Sequence, residues 1–248
     1  MHMFLLIDIG NTKTKWVLRD NKNIYEKGIF LTRDIDQDQF KYHPDIKKVY
    51  VANVAGFEKE AILKIKFKNF SCPIEFVKPQ KIFHNLINQY EDVKQLGVDR
   101  WLSALAVAEN KDESTIIVTM GTAVTIDLVL YDKKLSKSYF EGGIIMPGLY
   151  LNKEALSHGA SDLKHVHGSF KAPATNTADA IESGFILGVL GSIQWFIDHE
   201  KANNRNASVV ISGGDADLIT SHLNNTLKNL ITLREDLVLE GLFKFISH

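Results

Sequence analysis

Asp8-Ile9-Gly10-Asn11-Thr12 follows directly on an apolar run, Met3-Phe4-Leu5-Leu6-Ile7, and leads into the alternating segment Thr14-Lys15-Trp16-Val17-Leu18. The pattern predicts strand, tight turn, strand. A short glycine turn leaves backbone N–H groups open to an anion. A carboxylate beside it can hold magnesium, directly or through water. Together these residue types point to phosphate chemistry, with a plain Asx-turn hairpin as the alternative.

A second segment repeats the design. In 116–129 the apolar strand Ile116-Ile117-Val118-Thr119-Met120 runs into Gly121-Thr122 and then into Ala123-Val124-Thr125-Ile126-Asp127. Gly121 falls on Gly10 and Thr119 on Asp8. Two copies of one pattern predict two related halves rather than a solenoid. The polar stretch 109–114 places the division, giving halves of 1–112 and 113–248. Two such hairpins facing each other across a cleft would clamp the phosphates of a nucleotide.

Composition narrows the class. Apolar residues form 45% of the 248, enough for real cores, and the formal net charge of −1 gives no reason to expect nucleic acid or an anionic membrane as partner. Cys72 is the only cysteine, so an intrachain disulfide and a cysteine metal cluster are excluded. No uninterrupted apolar run reaches membrane-spanning length, and the start lacks the pattern of a signal peptide. The expectation is a reduced, cytoplasmic protein.

The elements that must position the two turns can be read coarsely. Strands are expected at 24–31, 48–54, 74–77, 115–119, 123–130 and 137–140, with a helix from Glu58 whose lysines form a solvated face. A second helix runs over 100–109 with Asp99 as its N-cap. A third spans 177–199, opened by Asn176 or Thr177, and carries Gly184, Gly188 and Gly191 on nearby turns. Interior glycines cost about 1 kcal/mol each relative to alanine, so close approach of another helix, from the same or a partner subunit, is expected there. Ser208-Val209-Val210-Ile211 reads as a strand ending in the turn Ser212-Gly213-Gly214-Asp215. His165-Val166-His167 has no third ligand set by spacing and reads as a surface loop. Gly142-Gly143 with Pro147-Gly148 reads as backbone lining the cleft.

In this order the pieces resemble the type III pantothenate kinases. The likeness rests on Asp8-Ile9-Gly10-Asn11-Thr12, Leu96-Gly97-Val98-Asp99-Arg100, Gly121-Thr122-Ala123-Val124-Thr125, Glu141-Gly142-Gly143-Ile144-Ile145-Met146-Pro147-Gly148, Asn176-Thr177-Ala178-Asp179-Ala180-Ile181 and Ser212-Gly213-Gly214-Asp215. The resemblance implies an α/β fold of the actin-like ATPase and sugar kinase superfamily: two ribonuclease-H-like halves, each a mixed sheet flanked by helices, with a cleft between them. It implies phosphorylation of pantothenate by ATP, the first step of coenzyme A synthesis, in a homodimer. Asp8, Ile9, Gly10, Asn11, Thr12, Lys13, Thr14 and Lys15 would wrap the ATP phosphates, with Asp8 near Mg2+ and Thr122 contacting ATP from the second half. Tyr90, Gly97, Val98, Asp99, Arg100 and Thr177 fall on the pantothenate site, and Asp99 on the catalytic base.

The chemistry fits those roles. Phosphoryl transfer asks mainly for positioning and charge neutralisation, and the attacking hydroxyl needs a carboxylate to accept its proton. Arg100 could pair with the pantothenate carboxylate in the two-point way a guanidinium allows. The chain departs from the family at Thr119, where many members carry an acid that holds K+ or NH4+; the departure implies weak or absent potassium activation. Two other readings of the same residues are a kinase for another small hydroxy acid or sugar, and a non-catalytic nucleotide-binding regulator of the same fold.

Overall fold

The computed structural model describes residues 3–37, 40, 43–69, 72–108, 113–159 and 167–247. The chain divides into two compact units, Met1–Glu109 with Asp236–His248, and Asn110–Glu235. The expected boundary at 112/113 placed the whole tail in the second half, but the last thirteen residues return to the first unit.

In the first unit, β1 (Met3–Ile9), β2 (Lys13–Arg19), β3 (Ile24–Leu31), β4 (Ile46–Asn53) and β5 (Ile74–Phe76) form a mixed sheet in the order β3-β2-β1-β4-β5. β1, β2 and β3 form an antiparallel meander, and β1, β4 and β5 run parallel. Alternation along β1 decides which residues reach which face. Leu5, Ile7 and Ile9 join Trp16, Leu18, Val49 and Val51 in a core that includes Leu63 and Phe67 of helix α1 (Phe57–Asn69). Burying each such side chain contributes about 1.5–3 kcal/mol. The alternate positions, fully buried Leu6 among them, face α2 (Val98–Val107) and the C-terminal helix, which pack on the sheet and on each other. β6 (Ile82–Phe83) and β7 (Leu86–Asn88) form a short hairpin.

The second unit repeats the design. β8 (Ser114–Met120), β9 (Ala123–Asp132) and β10 (Lys137–Pro147) form the antiparallel meander, and β11 (Ala207–Ser212) and β12 (Ile231–Leu233) add in parallel beside β8. The order β10-β9-β8-β11-β12 matches β3-β2-β1-β4-β5 strand for strand. That is the structural basis of the repeat seen in the sequence. Helix α3 (Leu149–Gly159) follows β10, and α4 (Thr177–Ala202) supplies Phe185, Ile186, Val189, Ile193, Phe196 and Ile197 to the core formed with Ile116, Val118, Met120, Val124 and Ile126. α5 (Asp217–Thr220) and α6 (Asn225–Lys228) are single turns, and α7 (Leu237–Ser247) closes the chain in the first unit.

Helix α4 is the longest helix among the described residues. By length and composition it is apolar enough to cross a membrane. Its apolar residues nevertheless cover the second sheet, and Asp179, Glu182 and Glu200 are buried along the same helix. A helix that packs a sheet on one face and carries paired acids reads as a core element of an α/β unit. Its glycines are equally informative. Nothing among the described residues lies within 4 Å of where a Cβ would stand at Gly184, Gly188 or Gly191. The expected close approach is therefore not made by this chain's described residues, and the stripe is exposed together with Leu187 and Trp195.

Candidate active site

The turn after β1 is closed by a hydrogen bond from the Gly10 N–H to the Lys13 carbonyl (3.1 Å). Asn11, Thr12 and Lys13 are exposed at its tip. Ile9 and Thr14 are fully buried, so Ile9 can offer a ligand only its backbone. The Thr14 hydroxyl lies 3.0 Å from that of Thr32, which itself donates to the Gly10 carbonyl (2.7 Å), while the Thr32 N–H donates to the Thr12 carbonyl (2.9 Å). Thr32 thus straps the turn from beneath. Sequence reading missed it, because its partners lie some twenty residues upstream.

Asp8 and Lys15 are directly opposed across β1 and β2, so their side chains share one face of the sheet. On that face the parallel strands end beside the first turns of α2 and α7. The outer ends of parallel strands, where helix N-termini gather, are the customary ligand position of open α/β sheets. Asp8 is pushed up to about 7, first by burial and then by the negative charge of Asp99, with Lys15 opposing and Asp236 adding to the rise. Four charged groups of one unit therefore act on one another at this corner.

Asp99 is not the N-cap of α2. Gly97 occupies that position, its carbonyl accepting from the Trp101 N–H (3.1 Å), and Asp99 stands within the first turn. The Asp99 Oδ1 atom accepts from the Arg100 N–H (2.8 Å) and lies 2.5 Å from where a Cβ on residue 97 would stand, so only glycine there leaves the carboxylate its place. Burial raises the Asp99 pKa, partly offset by that hydrogen bond and by the Arg100 charge. A carboxylate shifted upward is better matched to accepting a proton near neutrality. Arg100 is itself buried rather than solvated and donates to the Tyr90 hydroxyl (2.8 Å). Tyr90, Asp99 and Arg100 are thus brought together, as the sequence expected.

Sequence reading also missed Asp236. Its carboxylate accepts from the Lys15 ammonium at 2.9 Å across 221 residues of chain, and its carbonyl takes the first helical bond of α7 from the Glu240 N–H (2.9 Å). No local pattern announces such a pair.

In the second unit the turn is one residue tighter. Gly121 N–H donates to the Ala123 carbonyl (3.1 Å), and Gly148 N–H holds the Thr122 carbonyl (3.0 Å). The Thr122 side chain is exposed, and Thr119, one residue before the end of β8, lies between Thr125 on β9 and Ser212 on β11. Thr177 opens α4 immediately after Asn176, whose side chain caps the Asp179 N–H (2.9 Å). Asp179 in turn accepts from the Ser169 N–H (2.8 Å) and the Lys171 ammonium (2.9 Å), which hold its pKa far below the usual carboxylate range. Thr177 lines a groove of about 490 Å³ with Met146, Pro147, Asn152, Ile181 and Gly184. The pair His165 and Val166, and most of the 109–114 stretch, lie outside the described residues.

The donor set suits a hard cation that arrives with its own oxygen ligands. Among the described residues no three His, Cys, Asp or Glu side chains converge to hold a metal unaided. Asp8 offers one half-buried carboxylate beside the glycine turn. Magnesium is commonly held by one or two carboxylates plus substrate phosphates.

A family model described as type III pantothenate kinase matches residues 4–199. A type III pantothenate kinase from Acinetobacter baumannii is 32% identical over 252 residues, covering 98% of this chain and 97% of that protein. One from Methylobacillus flagellatus is 33% identical over 250 residues with the same coverage. Among solved structures, a Campylobacter jejuni protein described as a conserved Baf-family transcriptional activator superposes with a TM-score of 0.65 at 23% identity, covering 98% of this chain and 97% of that one. A non-polymerisable pCBH ParM mutant superposes with a TM-score of 0.52 at 11% identity over 100% and 99%. With the two mixed sheets flanked by helices, these neighbours bear out the expected actin-like α/β fold.

Proposed function

From the premise that this chain belongs to the type III pantothenate kinase family, we propose a residue-by-residue course for its reaction. The protein is a kinase: it phosphorylates pantothenate at the expense of ATP, the first step of coenzyme A synthesis. The backbone of residues 8–12 and the side chains of Lys13 and Lys15 receive the phosphates, Thr14 supports the turn from within, and Thr122 contributes from the second unit. Asp8 would hold magnesium, directly or through water, and the bound ion would supply neutralisation of the charge on the transferring phosphoryl group. Asp99 accepts the proton of the pantothenate alcohol as its oxygen attacks phosphorus. Arg100 binds the substrate carboxylate and is oriented by Tyr90. Gly97 and Val98 shape the same pocket, and Thr177 is a further substrate contact.

The single observation that carries this reading is the shared corner of Asp8 and Asp99, each titrating above its ordinary range beside a glycine turn. A general base and a metal-binding carboxylate need that closeness, whereas two solvated caps do not. The exposed stripe of Gly184, Gly188 and Gly191 supports a homodimer, and the cytoplasm is the proposed compartment. A coupled assay with ATP, magnesium and pantothenate, with a panel of other alcohols alongside, tests the assignment. ATP consumption dependent on pantothenate is expected; preference for another alcohol, or no consumption at all, would replace it with one of the alternative readings.

A further inference from the structure

Lys15 needs something to hold it. A lysine on a strand beside a ligand site ordinarily spreads its ammonium over many rotamers, an entropy that a ligand must offset on binding. Here the Lys15 ammonium is fixed at 2.9 Å from the Asp236 carboxylate, with both side chains only about a quarter exposed (26% and 29%).

Asp236 is itself held firmly. It stands at the junction where the chain leaves β12 and starts α7, its carbonyl engaged in the first turn of that helix. Four residues into the helix from Leu237, a Cβ on residue 241 would stand 2.1 Å from the Leu102 carbonyl of α2. Gly241 therefore lets α7 lie against α2 at backbone contact. The first turns of the two helices, and with them Asp236 and Asp99, keep a fixed spacing. The carboxylate of Asp236 points to the Lys15 side chain, which lies directly across the sheet from Asp8.

We propose that Asp236 is a positioning residue for nucleotide binding: by accepting a hydrogen bond from Lys15 it presets that ammonium on the Asp8 face, at the turn that receives the phosphates. The inference rests on assigning the β1–β2 turn to the nucleotide phosphates, and it adds a role for the C-terminal helix. That segment returns to the first unit to complete its charge arrangement as well as its core. An ammonium already ordered loses little freedom when phosphate arrives. Pre-organisation of this kind raises affinity by lowering the ordering cost.

The test uses the full-length protein with Asp236→Asn, Asp236→Glu, Lys15→Met and the double variant Lys15→Met/Asp236→Asn. Binding of a non-hydrolysable ATP analogue with magnesium is measured by calorimetry, alongside KM for pantothenate and the melting temperature. Asp236→Asn is expected to weaken analogue binding by about fivefold to twentyfold, part of the rotamer cost that a preset lysine spares the ligand, while KM for pantothenate stays within about twofold. Asp236→Glu should recover most of the loss. In the Lys15→Met background, Asp236→Asn should cost nothing further, since the two act as one unit. Unchanged analogue binding in Asp236→Asn overturns the proposal. So does an equal further loss in the Lys15→Met background, or a parallel fall of both ligands' affinities with the melting temperature. Analogue binding is read without turnover. A parent enzyme inactive on pantothenate would thus refute the proposed substrate while leaving the Asp236 measurement intact.

Discussion

Replacing Asp8 by asparagine removes a carboxyl that the ligand-free fold holds at about 7 instead of 3.8. The native state therefore binds this proton more tightly than the unfolded chain does. The carboxyl costs nothing below about pH 4, and its cost grows as the unfolded chain ionises first. Above about pH 7 the cost is complete. Roughly three pKa units at about 1.36 kcal/mol each give about 4 kcal/mol. Asp8 keeps part of its surface open to water, so the working range is about 2–4 kcal/mol. Asparagine matches the protonated carboxyl in shape and carries no charge to desolvate. Asp8→Asn should accordingly raise the melting temperature of the nucleotide-free protein by roughly 5–10 °C at about pH 8, with a gain less than half as large at about pH 5. Thermal unfolding monitored by circular dichroism or calorimetry across that range reads the effect, and kinase activity should be lost in the same variant. A variant no more stable than its parent at pH 8, or equally advantaged at both pH values, would refute the electrostatic account of this corner.

Asp99→Asn is expected to leave analogue binding near its parental value while lowering kcat by roughly two to four orders of magnitude; near-normal turnover would remove Asp99 from the role of base. Arg100→Ala should raise KM for pantothenate by roughly tenfold to a hundredfold, with a smaller rise for Tyr90→Phe, and unchanged KM in both would discount the carboxylate pairing. Thr119 presents a neutral hydroxyl between Thr125 and Ser212, so substituting a bulky organic cation for potassium at constant ionic strength should change turnover little. Strong, saturable potassium dependence would contradict that.

Local physics made much of this legible. The two glycine turns announced themselves because apolar strands, turn residues and alternation fall in one short window, and the matched strand orders of the two units bear out the repeat. The start of α2 was misplaced because Asp99 and Gly97 are both acceptable caps by type. Only the fold reveals that the Asp99 side chain turns to the Arg100 N–H within the first turn. Thr32 and Asp236 were invisible because their work is long-range: one straps a turn twenty-two residues back, the other closes an ion pair over 221. Contiguity in sequence likewise assigned α7 to the second half. Its packing on α2, with Gly241 under the Leu102 carbonyl, places it in the first.

The same corner explains why such a sequence tolerates its own instability. Three carboxylates, Asp8, Asp99 and Asp236, and one ammonium, Lys15, act within a single electrostatic neighbourhood. A fold selected for stability alone would hydrophobically fill the end of β1, since unpaired buried acids are costly. The imbalance becomes favourable only when a compensating cation and its phosphates enter, and the free energy released on binding is then largest where the empty state is most strained. Lys15 and Asp236 modulate that imbalance without abolishing it: their pair is neutral overall, and Arg100 offsets Asp99 only in part, so Asp8 and Asp99 both stay above the ordinary carboxylate range. Those two are the groups to which phosphoryl transfer assigns a metal and a proton. The residue that costs the empty fold most, Asp8, is therefore expected to be the one through which nucleotide and magnesium stabilise the loaded fold most. That relation ties the pH dependence of stability to the chemistry of the site.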